Sequence, residues 1–519
     1  MSLRFRLFLL VLCVAFVPAA SAAADPYSVT NTKDSGEGSL RAVITETNSH
    51  PGLDIISIEP SGTIELKSAL PVIFDPVSIF GLGPDRLEVR RADAAGGNFS
   101  IFTISTDADP TYLNGFTISN GRAAFGGGIR NAEGSLDLSG ITLRGNEAVA
   151  EGGADDHAEG GGVYSKGPLE LQATLVSGNV ARASNGTTET IAAGGGVAAF
   201  DSLTVGTSTI TGNRAEATGG GGIASAQGGG LLTPDQTDIE LSTISGNSVV
   251  AADGGTQTRA AGGGVTAFEA KLTSVTVTRN SATSSGGAFG ANLDAFMPTV
   301  VRNTIVSKPL GGAENCNGET VSGGYNLDED GSCEFESGSD LNGVAAGLDP
   351  VLRDNGGFTP THALLSGSIA IDRGYSFGNF IDQRGWARPS DFPEISNKEG
   401  GDGSDIGAFE LQVPPASGPT PVPILVGSEP GDTTPPRTRL VSGPARVGYE
   451  RLAKFRFNSS ESQSSFKCKL DKAKWKKCRS PYKLTVKPGK HLFKVRAIDR
   501  FGNADPTPAR FGWRVKPVG

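Results

Sequence analysis

The densest acidic stretch in this 519-residue sequence is Glu151-Gly-Gly-Ala-Asp155-Asp156-His157-Ala-Glu159. Cleavage of a glycosidic bond needs paired carboxylates, and lyase chemistry needs a base, in many cases beside Ca2+. Asp155, Asp156 and His157 are the catalytic candidates on that ground. The competing reading is a solvated loop in an acidic protein. A second stretch, Asn326-x-Asp328-x-Asp330-Gly331, opens like a Ca2+ loop, which makes Asp328 and Asp330 the metal candidates. The position that should supply a bidentate glutamate is Ser337, so the pattern fails where ligation matters most. Asp402-Gly-Ser-Asp405 is a thinner version of the same idea. No motif demands a cofactor, and Ca2+ is the one ion these loops could take.

Other chemistries find less support. His362 and Arg384 could serve a site, but each also reads as a buried, hydrogen-bonded residue. No nucleophile elbow accompanies a Ser/His/Asp set. The glycine-rich triplets do not open helices, so they are not phosphate or dinucleotide loops.

Charge is unevenly placed. Residues 433–519 carry 22 Lys/Arg against 5 Asp/Glu, whereas the rest carries 24 against 50. Phe466, Cys468 and Leu470 alternate with Lys467, Lys469 and Asp471, and His491, Phe493, Val495 and Ala497 alternate with Leu492, Lys494 and Arg496. Period-two alternation predicts strands with one apolar and one cationic face. Such a face suits polyanions; the alternative is a charged sheet edge that blocks aggregation.

The elements that position these residues follow from a repeat. A glycine triplet and an aliphatic residue recur at one constant interval, as Gly126-Gly-Gly-Ile, Gly160-Gly-Gly-Val, Gly194-Gly-Gly-Val, Gly228-Gly-Gly-Leu and Gly262-Gly-Gly-Val. Ser285-Gly-Gly-Ala follows at a shorter interval and reads as a degenerate copy. Each copy contains a Leu-rich and a Thr-Ile strand followed by Asn-x-Ala or a close variant. Self-similarity at a fixed period marks a stacked architecture. The predicted fold class is all-β: a right-handed parallel β-helix of three short strands per coil, followed by a small β-sandwich. Asn146, Asn179, Asn213, Asn247 and Asn280 should form an internal amide ladder. The variable stretches 149–159, 183–193 and 251–261 are expected as loops thrown outward. Ser39 can cap a helix over 40–47 that closes the first coil.

The ends of the chain supply the address. Arg4 and Arg6, the apolar run Leu7–Val17 and the small residues 20–24 read as a signal peptide over 1–24. Cys13 leaves with it. In an oxidising compartment the remaining cysteines pair most economically as Cys316–Cys333 and Cys468–Cys478, each worth about 3 kcal/mol in the chain-entropy model. The predicted order is signal 1–24, β-helix 25–411, a proline-rich linker 412–432 and a basic domain 433–519.

Val29-Thr-Asn-Thr-Lys-Asp-Ser-Gly-Glu-Gly-Ser-Leu-Arg-Ala-Val, together with segments from Asn303 to Glu410, resembles secreted bacterial β-helix proteins of the choice-of-anchor Q type. The stretches Phe466-Lys-Cys-Lys-Leu-Asp, Trp475-Lys-Lys-Cys and Val495-Arg-Ala-Ile-Asp-Arg-Phe-Gly-Asn resemble bacterial extracellular Ig-like modules. The first resemblance implies a pectin-lyase-like β-helix exported to the cell surface or medium, without implying a reaction, and makes 316–333 a disulfide-closed turn. The second implies that its two cysteines join adjacent strands.

The functional expectation is an exported surface or matrix protein without catalysis. Its β-helix would present loops for adhesion or glycan binding, and its basic domain would dock to anionic surfaces. The alternative is a polysaccharide lyase or glycoside hydrolase acting on acidic polysaccharide. The expected partner is a polysaccharide or an anionic envelope polymer rather than intracellular nucleic acid. No transmembrane segment is expected after signal cleavage.

Overall fold

A computed structural model describes residues 26–106, 110–413, 435–444, 446–448, 451–459, 465–480, 482–498 and 503–517. The expected signal peptide and the linker from residue 414 lie outside the described residues. The chain divides into two compact units, Met1–Pro414 and Pro415–Gly519.

The first unit is a parallel β-helix. Ile129, Val163, Val197, Leu231, Val265 and Leu293 pair in register from one coil to the next. The glycine triplet makes this stacking sterically feasible. Gly160 takes a φ of +67°, which favours glycine. A Cβ on Gly161 would collide with the carbonyls of Gly195 and Val180 in the next coil and the same coil. A Cβ on Gly162 would press on the Gly196 carbonyl and crowd the Asn179 amide. The three glycines therefore answer three separate constraints, which is why they travel together. Inside, Ile, Leu and Val columns fill one continuous core. The helix Leu40–Thr47 buries Leu40, Val43 and Ile44, and Ser39 caps it by accepting the Ala42 N–H at 3.2 Å.

The coils that begin at Ile129, Val163 and Val197 have five strands, not three, and in those that begin at Leu231 and Val265 the first two strands merge into one, Leu231–Glu240 and Val265–Thr273. One coil runs Val163–Ser165, Leu169–Gln172, Leu175–Ser177, Val180–Ser184 and Glu189–Ala193. The first two join a 17-stranded sheet, the third an 11-stranded sheet, and the last two a six- and a five-stranded sheet. The stretches expected as outward loops are thus largely paired strands forming a wing. Its interior is almost all alanine: Ala148, Ala158, Ala181, Ala183, Ala192, Ala215 and Ala217 are fully buried. Side chains of a single carbon let the two wing sheets lie close, and alternate residues point inward along each strand.

The end of the repeat also differs from the expectation. Val265 pairs with Leu293, so Gly290-Ala291-Asn292-Leu293 is the next copy of the triplet. Ser285–Ala288 instead belongs to the wing, where Gly287 and Ala288 oppose Arg259 and Ala260. The coil after it, from Leu293 to Cys316, is shorter and lacks the wing.

From about residue 344 the chain turns back along the 11-stranded sheet as an irregular strap. Gln383 Nε2 donates to Thr209 Oγ1 at 2.8 Å, and Thr243 Oγ1 donates to Gln383 Oε1 at 2.6 Å. One coil further, the Ala408 N–H donates to Thr276 Oγ1 at 3.0 Å. Thr209, Thr243 and Thr276 stand in one column, so the strap clips three successive coils. Within it, Arg388 pairs with Glu410 at 2.7 Å, both fully buried. Burial pushes the carboxyls of Asp405 and Glu410 above their ordinary range.

The second unit has a three-stranded antiparallel sheet and a five-stranded, mostly antiparallel sheet. Phe455 and Phe457 of one meet Phe493, Val495 and Trp513 of the other in a shared core. Phe455 and Phe493 stack at 4.0 Å between centroids.

Candidate functional site

The sequence-derived catalytic residues do not converge. Asp155 is exposed on a wing strand, opposite Glu189. Asp156 is buried and turns both carboxylate oxygens onto the Gly153 N–H, at 3.0 and 3.1 Å. His157 Nε2 lies 3.4 Å from Glu189 Oε2. Among the described residues, no three His, Cys, Asp or Glu side chains gather where they could hold a metal ion.

The metal candidates are engaged by donors. Asp328 Oδ1 accepts from Asn315 Nδ2 and Asp328 Oδ2 from the Cys333 N–H, each at 2.7 Å. Asp330 accepts the Asn315 and Ser332 N–H groups and the Ser332 hydroxyl. Burial raises the Asp328 carboxyl to about 6; burial also acts on Asp330, but the Ser332 and Asn315 donors hold it below its usual value. A cation needs free oxygens, whereas these are spent on N–H and O–H groups, so the pair builds the turn. The same turn contains the Cys316–Cys333 disulfide, with Cα atoms 5.0 Å apart. Cys468–Cys478, at 5.7 Å, joins two adjacent strands of the second unit. Two disulfides fit an oxidising compartment. Among the described residues, no helix is long and apolar enough to cross a membrane.

His362 is buried between Ser245 Oγ and the Asp349 carbonyl, both at 2.7 Å. Arg384 donates to Asp382 and to the Glu410 carbonyl and lies 3.7 Å from the Phe409 ring centroid. Both hold the strap to itself or to the helix.

The asparagines form the helix's internal spine. Asn146, Asn179, Asn213 and Asn247 each donate Nδ2 to the next Oδ1 at 2.9 Å. Each Nδ2 also donates to a strand carbonyl; for Asn213 this is Val176. The ladder continues through Asn280, Asn292 and Asn315 to Asp328. Asn292 occupies the place of the triplet's third glycine, so an amide enters there once the glycine is gone. The constant interval of the repeat hides these last members because the coils shorten.

The second unit supplies the strongest site. On its larger sheet the inward residues Phe493, Val495, Trp513 and Val515 are buried or nearly so, which turns Lys494, Arg496, Arg510 and Arg514 outward. Lys467 stands opposite both Lys477 and Arg496. Lys469 stands opposite Lys494, Lys494 opposite Arg510, and Lys490 opposite Arg514. Directly opposed like charges cost stability. Yet these cations form no ion pair among the described residues. The described acids lie elsewhere: Asp471 binds His491 at 2.9 Å, and Asp505 accepts the Thr438 and Thr507 N–H groups.

Trp475 sits within the cationic array, its ring centroid 4.7 Å from the Arg496 guanidinium carbon and 5.5 Å from Lys469 Nζ. Arg496 Nε is shielded from water and has no hydrogen-bond partner among the described residues. A guanidinium stacked on an indole keeps its in-plane donors for an oxyanion. Alternation in the sequence places the lysines, but nothing local brings Trp475 from its turn onto Arg496.

Fold and site together define a parallel β-helix protein that carries a disulfide-bonded β domain with one cationic sheet face. No protein-family model matches the chain, and no curated protein matches it in sequence.

Proposed function

We propose that the chain is an exported surface or matrix protein without catalysis, docked to an anionic envelope polymer by its C-terminal domain. The carrying observation is the cationic face around Trp475 and Arg496. A row of like charges that weakens its own sheet is retained where an anionic partner relieves it. The β-helix is the rigid part on display, since every coil is tied to the next by backbone, amide and hydroxyl bonds. The resemblance of 29–43 and 303–410 to choice-of-anchor Q proteins, and of the last domain to Ig-like modules, supports export.

Retention of the full chain and of the 415–519 unit on immobilised polygalacturonate and polyphosphate tests this reading. Retention should fall steeply as salt rises to about 0.3 M, where the Debye length is well under 10 Å. Lys469→Glu with Arg496→Glu should abolish it. Failure of both wild-type forms to be retained at low salt rejects docking.

A further inference from the structure

We propose that a column of exposed rings on the long sheet of the β-helix is a binding strip for a neutral polysaccharide lying along the helix axis. The column consists of Phe200, Pro234, Phe268 and Phe296. Their neighbours fix the alignment: Ala198 pairs with Leu232, Thr233 with Ala267, and Ala267 with Ala295. Phe200 and Pro234 therefore share a register position, as do Phe268 and Phe296, while a one-residue bulge after Thr233 sets both Pro234 and Asp235 opposite Phe268. Phe268 is 47% exposed and Phe296 56%, and Met297 beside it is 45% exposed. Large side chains exposed in a line are unusual on a protein that buries its other aliphatic columns so fully.

The strip has a side wall. The Arg259 guanidinium carbon lies 5.3 Å from the Phe289 ring centroid and 5.7 Å from that of Phe296. Asp294, itself buried, holds Arg259 at 3.2 Å. The rings are thus presented on a rigid base.

Spacing and charge identify the occupant. Neighbouring strands lie about 4.8 Å apart, so the strip offers one ring per coil at close to the length of a pyranose unit. The faces of sugar rings are C–H surfaces that pack on aromatic faces. The residues after the rings are Asp201, Asp235 and Glu269, and the last two are exposed. Carboxylates beside a ring accept hydrogen bonds from sugar hydroxyls. They repel an acidic chain, as does a body with 50 Asp/Glu against 24 Lys/Arg outside residues 433–519. The strip therefore selects an uncharged polymer, whereas the cationic domain selects an anionic one. The two sites are independent.

Affinity electrophoresis of the full chain in gels containing hydroxyethylcellulose, galactomannan, xyloglucan or dextran tests the strip, with polygalacturonate as the acidic control. About 0.3 M salt screens the cationic face during the run. At least one neutral polymer should retard the protein. Phe268→Ala with Phe296→Ala should weaken that retardation by about tenfold or more, a loss of 1.4 kcal/mol or more. Both side chains are exposed, so the melting temperature should not move, and a melt run in parallel checks it. Retardation by no neutral polymer overturns the proposal, as does a variant that binds like wild type. Self-association of the wild type in sedimentation, lost in the variant without any glycan retardation, assigns the strip to a second copy instead and also overturns it.

Discussion

Asn315 Nδ2 donates to Asp328 Oδ1 at 2.7 Å, and with that bond the amide ladder of the β-helix ends on a carboxylate. Every upstream rung is an amide that accepts from one neighbour and donates to the next. The last rung needs only to accept, so a carboxylate fits there. The residue that looked in sequence like a Ca2+ ligand is the terminal acceptor of a seven-asparagine spine.

A break in the middle of the spine should be costly. Asn213 Oδ1 accepts both the backbone N–H and Nδ2 of Asn179, and its own Nδ2 serves Val176 and Asn247. Asn213→Ala strands buried donors and an acceptor at roughly 1–3 kcal/mol each. The thermal unfolding midpoint of the full chain should fall by several degrees or more in a circular dichroism melt. A shift within error would mean that the strand ladders alone hold the coils.

The end of the spine should titrate. Burial raises Asp328 from 3.8 to about 6. A carboxyl raised in the folded state contributes stability that is complete below pH 3.8 and lost as pH rises through about 6. At about 1.4 kcal/mol per pKa unit the loss is on the order of 3 kcal/mol. Asp372, also raised to about 6 by burial, adds to the same window. Urea midpoints should therefore drop between pH 4.5 and 7, and the drop should be smaller in Asp328→Asn. An equal drop in wild type and variant would place the titrating proton elsewhere.

The wing should tolerate no larger side chain inside. Ala217 is fully buried in the alanine layer between two sheets. Ala217→Leu overfills it, at roughly 1–3 kcal/mol. Hydrogen exchange should quicken in the wing strands Val180–Ser184, Glu189–Ala193, Arg214–Thr218 and Ile223–Gln227 and stay slow in the core strands Leu169–Gln172 and Leu203–Gly206. Uniform protection across both would show that the wing sheets can separate to admit leucine.

The sequence by itself determined the β-helix, because a fixed period writes each column into the chain as a repeated letter. Gly triplets, Asn and aliphatics recur for steric and hydrogen-bonding reasons that hold in every coil, so one coil predicts the next. It also located the cationic face, since alternation along Lys467–Leu470 and Leu492–Arg496 suffices to separate two sides of a strand.

Only the tertiary structure decided the rest. The wing strands are short and alanine-rich, with weak strand preference of their own, and become strands because the coil below offers a template. Asn292, Asn315 and Asp328 join the ladder across shortened coils, where no period marks them. Gln383 finds Thr209 and Thr243 from a distant part of the chain. Phe296 aligns with Phe268 although the interval between them is shorter than those separating Phe200, Pro234 and Phe268. Trp475 reaches Arg496 from a turn. Each of these contacts depends on which coil or strand lies next to which, and coil length, not local preference, sets that.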